Sequence, residues 1–555
     1  MTKSYNFSTI LLSVLLLSLF WSCGKSSKSI VAPPAPSKSS SVPIEQKKPS
    51  VNPSSTPQKE VKSHELYKAH EVLVNPSPRE FRGVWIATVA NIDWPSSSTD
   101  AFSKQQADFI ALLDYYKKLN FNAVIVQVRT AGDAFYPSNL APWSRYLTGK
   151  EGQKPNTSID PLAWMIEQAH LRGLEFHAWL NPYRATMNLD TKILSANHDY
   201  HKNPEWMVKY DTKYYYNPGL PDVKNHLVNV IKEIVKNYDV DAIHFDDYFY
   251  PYKVGKLEFQ DADAFKKYGK NGQKIDDWRR ENVNQLVQAV HQTIKAEKSW
   301  VQFGISPFGV WRNQSQDPNG SNTRAGHANY DDLYADPITW MKNGWIDYLI
   351  PQLYWSMDFQ LASYRILTDW WAKNHYNTNV YIGNGPYKIR DNADKAWDNP
   401  LEIPQQISYT RSQSVLKGNA YFSARSLYKK NNDVAQNIFQ NYYHKEVLTP
   451  EPPKSLGKPN TFEKPILLKK DQFQWQIRFN QAIETDYIYA LIHTAGSLKN
   501  LIEKHQTINS QKIYLDTESR RQIILNLPKN EPFLSITLVN RHGKESNAHV
   551  FEVFN

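Results

Sequence analysis

Residues 241–251 read DAIHFDDYFYP. A short β-type run, Ala-Ile-His-Phe, ends in two adjacent acids, Asp246 and Asp247, with tyrosines just beyond. A strand that only fills a core has no use for such a pair. The stretch therefore marks either the working end of a strand or the start of a solvated loop, and its neighbours in the chain decide between them.

Outward from this stretch a rhythm of β-rich and helix-like runs extends in both directions. FRGVWIATVAN (81–91), NAVIVQVRTAGD (122–133) and EFHAWLNPYR (175–184) precede it, each followed by a helical pattern such as DVKNHLVNVIKEIVKNYDV. VQFGISPFGVW (301–311), IDYLIPQLYWS (346–356), NVYIGNGPY (379–387) and NAYFSARSL (419–427) follow it. Repeated βα units imply parallel strands, and eight of them over roughly 77–447 predict an α/β fold, a (β/α)₈ TIM-type barrel with insertions. A doubly wound open sheet is the alternative, but no Gly-rich phosphate fingerprint follows any strand.

The flanks read differently. After TPEPP (449–453) come short β runs without helical partners, QFQWQIRF, DYIYALIHT, RQIILNLP and FLSITLVNRHGKES among them. They predict a small all-β sandwich over 455–555, its ending similar to the last strands of fibronectin type III modules. Residues 24–76 are rich in Ser, Pro and Lys with no apolar period, which predicts a disordered tether. Residues 1–23 carry a short apolar run, TILLSVLLLSLFWSC, that fits a secretory leader ending at Cys23. It resembles a lipoprotein leader, in which Cys23 is the lipidated residue and the anchor to the membrane. Ordinary secretion with an incidental cysteine is the bland reading. Cys23 is the sole cysteine, so an internal disulfide is excluded.

The net charge of +10 does not argue for nucleic acid. Residues 24–76 hold eight Lys against four Glu, and with Lys3 they place half the excess before residue 77. No groove-reading motif appears, and no partner protein is implied. Aromatic residues make up 13% of the chain, 17 of them Trp and 33 Tyr, a composition that suits flat binding clefts as well as cores.

In barrels of this kind the site lies where strands end and βα loops begin. Residues two apart on a strand face the same way. Gln127 with Arg129, His177 with Trp179 and Asn181, His244 with Asp246, and Gln352 with Tyr354 form such sets, too polar for the helix-packed outside. They are expected to point inward at the mouth. Asp247 then faces away unless the chain turns sharply. Adjacent acids rarely frame a scissile bond, so Asp246 is read as nucleophile or base. The second acid is left open among Asp247, Asp133, Asp93, Asp331, Asp332 and Asp358, with Asp247 or Asp133 preferred as proton donor. Trp85, Trp94, Trp143, Trp179, Trp311, Tyr354 and Trp355 fall at or beyond strand ends, and flat rings there can stack on sugars. For each residue there is a plainer role: loop hydrogen bonds for the acids, a rim ion pair for Arg129, hydrogen-bonded interior histidines for His177 and His244, core for each Trp. No HExxH or clustered ligand spacing indicates a metal, and no cofactor is implied.

Several long motifs in order, EFRGVWIATVANIDWPS, NAVIVQVRTAGDAFYPS, HAWLNPYR, IHFDDYFYP, DWRRENVNQLV, ISPFGVWRN and PQLYWS, resemble the glycosyl hydrolase-like 10 family, often found as bacterial envelope lipoproteins. The resemblance spans roughly 78–400. It implies a barrel that hydrolyses glycosidic bonds, with glycans of the bacterial cell envelope, peptidoglycan strands first, as substrate and Asp246 as the strand-four catalytic acid. Strand five here ends in ISPFGVWRN, without the acid that many retaining barrels place nearby, so the proton donor is not fixed by it. Arg129, His177, Trp179, Asn181, His244, Trp311, Gln352, Tyr354 and Trp355 are the expected sugar-binding residues. The rival reading is an envelope lipoprotein that binds glycan on a degenerate barrel without cleaving it.

Overall fold

The computed structural model describes residues 66–453, 461–471, 473–503 and 509–554. The leader, Cys23 and the tether as far as residue 65 lie outside the described residues.

Eight runs build a parallel sheet: β1 (Phe81–Ile86), β2 (Ala123–Arg129), β3 (Glu175–Leu180), β4 (Ala242–Phe245), β5 (Gln302–Ile305), β6 (Tyr348–Leu349), β7 (Asn379–Val380 with Ile382–Asn384) and β8 (Gly418–Tyr421). The β7 run is split at Tyr381, so the sheet counts nine segments. Its first half pairs with β6 and its second with β8, and β8 pairs with β1. The two ends of the sheet are thus one stretch of chain, and the sheet curls into a nearly closed barrel. A helix follows each run, from Phe102–Lys118 after β1 to Asn432–Asn441 after β8.

The helices form for local reasons. Pro161–Leu171 opens with proline in its first turn, and Asp160 caps it by accepting from Leu162 and Ala163 N–H. Pro221–Asn237 buries Val223, Leu227, Val230, Ile231, Ile234 and Val235, one stripe at helical spacing that packs on the barrel's outside. The inside is a separate apolar layer of Phe81, Trp85, Ile125, Trp179, Tyr348 and Tyr381, with Phe81 stacked on Tyr381 at 4.1 Å. Gly304 makes this layer possible. A Cβ there would sit 1.9 Å from the Tyr348 ring, which crosses the barrel at that point.

Between β3 and its helix the chain inserts a hairpin, Met207–Tyr210 with Lys213–Tyr216. The C-terminal part holds two antiparallel sheets, of five and three strands, that share a core including Trp475, Ile477, Leu525, Ile492, Leu538 and Phe551. It departs from the expected boundaries. Tyr67–His70, assigned to the tether by composition, pairs with His549–Val553 as an edge strand of the larger sheet. A short helix, Leu498–Glu503, also interrupts the β runs. Four residues with a half-buried face are too few to show above a Ser/Pro/Lys background. This part docks on the end of the barrel where strands begin: Lys512 Nζ donates to the Gly173 carbonyl at 2.9 Å, and Arg541 forks onto Asp239, with Nη2 3.1 Å from Oδ2. The mouth faces the other way.

Candidate active site

β4 ends at Phe245, and the chain bends there. Asp247 donates its backbone N–H to Asp246 Oδ1 at 2.9 Å, and Phe249 N–H bonds back to the Asp247 carbonyl at 3.1 Å. The bend cancels the alternation that would have sent Asp247 outward, so both carboxyls sit at the mouth. Both are more than nine-tenths buried.

Two other strand ends hold Asp246 directly. Asn181, just past β3, donates to Oδ2 at 3.1 Å, and Gln352, just past β6, donates to Oδ1 at 3.0 Å. The remaining Gln352 N–H goes to the carbonyl of Ser306, just past β5, at 2.9 Å. The Asn181 carbonyl in turn accepts from Gln127 Nε2 at 2.6 Å, and Gln127 Oε1 accepts the backbone N–H groups of Thr88 and Val89 at 3.2 and 2.9 Å. This relay fixes which way each amide points, since an amide oxygen only accepts and an amide nitrogen only donates. Asp246 receives three N–H donors across its two oxygens, the bonding pattern of a carboxylate.

Asp247 has the opposite environment. Burial, and then the neighbouring Asp246 charge, pushes its carboxyl well above the ordinary carboxylate range, with Arg184 and the Tyr252 hydroxyl only partly offsetting this. Tyr252 donates to Oδ2. The two acids therefore differ: one is arranged to hold charge and the other to hold a proton.

Aromatic side chains frame the pair. Tyr354 stacks on Phe422 at 6.1 Å and meets Tyr387 edge-on at 6.0 Å. Burial raises the Tyr354 phenol well above its usual range, and Tyr387 and then Asp246 and Asp247 add to the effect. Trp355 meets Phe308 edge-on at 5.4 Å, and Phe308 meets Tyr252 at 6.0 Å.

Other expected residues lie elsewhere. His177 and His244 do face inward, but below the mouth. Trp85 Nε1 reaches His244 Nε2 at 3.3 Å. An indole N–H can only donate, so Nε2 accepts and Nδ1–H is left to donate to the Tyr348 hydroxyl at 3.1 Å. Tyr348 then donates to His177 Nδ1 at 2.8 Å, and His177 Nε2–H meets Glu175 Oε2 at 3.1 Å. Burial holds His244 well below the usual histidine range, so it is neutral. These are satisfied interior groups. Trp179 belongs to the same inner layer.

Arg129 is turned away by a bulge: the pairing with β3 skips a residue between Gln127 and Arg129, which sets Arg129 level with outward Leu180. There its Nη2 contacts the Tyr216 hydroxyl at 3.3 Å under the inserted hairpin. Asp133 closes its own loop, accepting from Thr130 N, Ala131 N and Thr130 Oγ1 at 2.7 to 2.9 Å. Asp93 ties β1 to β8 through Ala87 N, Arg425 N and Ser423 Oγ, and burial lifts it to about 6. Asp331 pairs with Arg312, Asp332 with Lys253 and Asp358 with Arg365. Trp311 donates to Asp336 and stacks on Trp370 at 5.7 Å, away from the acids. Among the described residues no group of three or more His, Cys, Asp or Glu side chains could hold a metal, and no helix is long and apolar enough to cross a membrane.

The ordered amides and paired acids at the β4 end coincide with a family match over residues 80–399. The chain belongs to the glycosyl hydrolase-like 10 family. Among curated relatives it is 46% identical over 485 residues to glycosyl hydrolase YngK of Bacillus subtilis, covering 85% of this chain and 93% of that one. It is 39% identical over 331 residues to glycosyl hydrolase DigH of Escherichia coli K12, covering 56% of this chain and 74% of the other. The glycoside hydrolase domain of PgaB (BpsB) from Bordetella bronchiseptica is a distant structural likeness, with a TM-score of 0.43 at 11% identity over 66% of this chain and 98% of that one. The family stretch, 80–399, contains every residue of the amide relay and both acids. Ser306, Tyr252 and Arg184 take part at this site without having been singled out, and Gln127, expected at the mouth, takes part as a positioning group. Arg184 is the polar end of the β3 run, EFHAWLNPYR, whereas Tyr252 carries no signal apart from its place in a tyrosine cluster.

Proposed function

We propose that the protein is a glycosidase that hydrolyses an envelope polysaccharide, with peptidoglycan glycan strands as substrate. One observation carries the reading: a carboxylate, Asp246, receiving three N–H donors stands directly beside a buried acid, Asp247, whose protonated form is favoured by burial and by the Asp246 charge. The glycosyl hydrolase names of its relatives support it.

Asp247 gives its proton to the leaving glycosidic oxygen as the bond to the anomeric carbon breaks. The attacking group is then the question. Paired glycosidase carboxyls normally stand about 5–5.5 Å apart for retention or 6.5–9.5 Å for inversion, on opposite sides of the bond. Asp246 and Asp247 are chain neighbours linked by a hydrogen bond and cannot straddle it. The other candidate acids are bonded elsewhere. Attack therefore comes from the substrate, whose 2-acetamido carbonyl oxygen bonds to the anomeric carbon. A carboxylate offers about four lone-pair positions; Asp246 has one left to accept the acetamido N–H and steady the positive charge of the ring that forms. Water then opens that ring and returns a proton to Asp247, with net retention. Peptidoglycan sugars carry the acetamido group this step needs.

The test is cleavage of N-acetylated against chemically de-N-acetylated strands. The reading predicts reducing-end release from the first alone; equal release from both would remove the substrate's part in the reaction. We also place the protein at the bacterial envelope, held by lipid on Cys23. Cys23→Ser would then move it from the membrane fraction to the soluble fraction.

A further inference from the structure

Four arginines are buried among the described residues, Arg82, Arg129, Arg184 and Arg279; two have carboxylate partners, and Arg129, under the inserted hairpin, has the Asp133 carbonyl and the Tyr216 hydroxyl at 3.3 Å. Arg279 lies between Asp261 Oδ1 at 2.6 Å, Oδ2 at 3.0 Å and the Tyr334 hydroxyl at 2.9 Å. Arg82 has Glu80 at 2.8 Å and the Lys445 carbonyl at 2.6 Å. Arg184 is buried to the same degree, 6% exposed, and has neither. Its guanidinium lies over the Tyr248 ring at 4.2 Å. Nη1 meets the Met187 sulfur at 3.9 Å, a weak acceptor, and Nε is buried with no acceptor at all. Among the described residues no carboxylate forms an ion pair with it.

Its position gives that gap a meaning. Arg184 stands three residues beyond Asn181, and Tyr248 two beyond Asp246, so the guanidinium lies at the mouth beside the acid pair. Its charge acts on Asp247. Lys213 lies on the inserted hairpin, which runs alongside this loop: Tyr215 bridges Arg184, and Ala185 N–H donates to the Tyr214 carbonyl at 3.1 Å. Burial lowers its ammonium below the usual lysine range, and the Arg184 charge lowers it further, with Asp211 only partly compensating. Two cations on adjoining segments thus act on each other at the edge of a catalytic pair, and Arg184 has a donor without an acceptor. Desolvating a charge without a counter-ion is strongly unfavourable, and the planar guanidinium fork matches a carboxylate.

We propose that Arg184, backed by Lys213, receives a carboxylate borne by the sugar next to the scissile bond, so that an acidic sugar is the preferred occupant. This rests on the glycosidase reading for the sugar, but not for the anion. The stacked Tyr248 ring sets the plane of the fork, and the carboxylate supplies the acceptors that Arg184 lacks.

The experiment is calorimetric titration of the full chain carrying Asp246→Asn, to prevent turnover. The probes are oligosaccharides of alternating N-acetylglucosamine and N-acetylmuramic acid, and the same compounds with the lactyl carboxyls reduced to alcohols. The acid should bind roughly 10- to 100-fold more tightly than the alcohol, as charge-assisted hydrogen bonds imply. Adding Arg184→Gln should bring the two affinities together. Arg184→Lys, which keeps the charge but not the fork, should restore part of the difference. Should the Arg184 variants fail to fold, Lys213→Gln should narrow the same ratio. Equal affinity, or none, for acid and alcohol in the parent protein overturns the proposal. The two readings can fail separately: cleavage of acid and alcohol alike by the wild-type chain would leave the glycosidase and remove the carboxylate site, whereas discriminating binding without cleavage would do the reverse.

Discussion

Asn181 Nδ2 donates to Asp246 Oδ2 at 3.1 Å, and it has only one amide orientation in which to do so, because its carbonyl already accepts from Gln127 at 2.6 Å. A residue two strands away from Asp246 thereby controls one of its hydrogen bonds, and the backbone of the loop after β1 controls that residue in turn.

If the relay works as a unit, Gln127→Leu should lower kcat by about 10-fold and Asn181→Ala by about 10²-fold, the latter removing a donor from a buried charge at a cost of roughly 3 kcal/mol. The double variant should be little worse than Asn181→Ala alone, since residues in one network are not additive. Steady-state kinetics on glycan strands reads this. Additive losses would mean that Gln127 does not act through Asn181.

Asp247 has to be protonated to donate, and its range is raised by burial and by Asp246. The protonated form is lost as pH rises, so kcat/KM should be level on the acid side of its titration and fall on the alkaline side, beyond the ordinary carboxylate range. Asp247→Asn should abolish that limb. It should also lose less on aryl glycosides with good leaving groups, which need no proton, than on glycan strands. A variant equally poor on both would remove Asp247 from the donor role.

The Tyr348 hydroxyl joins two buried histidines, at 2.8 Å to His177 and 3.1 Å to His244. Tyr348→Phe leaves buried imidazole groups unsatisfied, which costs about 1–3 kcal/mol for each. Thermal unfolding should show a Tm lowered by several degrees, with kcat of the folded enzyme changed less than fivefold. A collapse of kcat at unchanged Tm would return the histidines to the chemistry.

The strand order and the converging ends were legible because each strand carried its own β-type run and each helix its own apolar stripe. Alternation placed Gln127, Asn181, Asp246 and Gln352 on the inner side, and the structure brings these four together. What alternation lacks is depth. His177 and Asn181 share a side, yet one lies in the inner layer near Glu175 and the other at the mouth. Nor does it show breaks in its own period. The bulge at Gln127/Arg129 turned Arg129 outward, and the bend after Phe245 brought Asp247 in. Phe422 and Tyr387 were missed as cleft walls because an apolar side chain at a strand end reads as core until its neighbours are known.

The most direct test is reducing-end release from purified peptidoglycan glycan strands, with and without stem peptides, comparing residues 24–555, which leave out Cys23, with the same chain carrying Asp246→Asn. The first should release ends and the second should lose about 10³-fold of that rate, equivalent to roughly 4 kcal/mol of transition-state stabilisation. If neither releases ends from any strand, yet both bind them with the same affinity, the hydrolase is contradicted and the protein is a glycan-binding barrel.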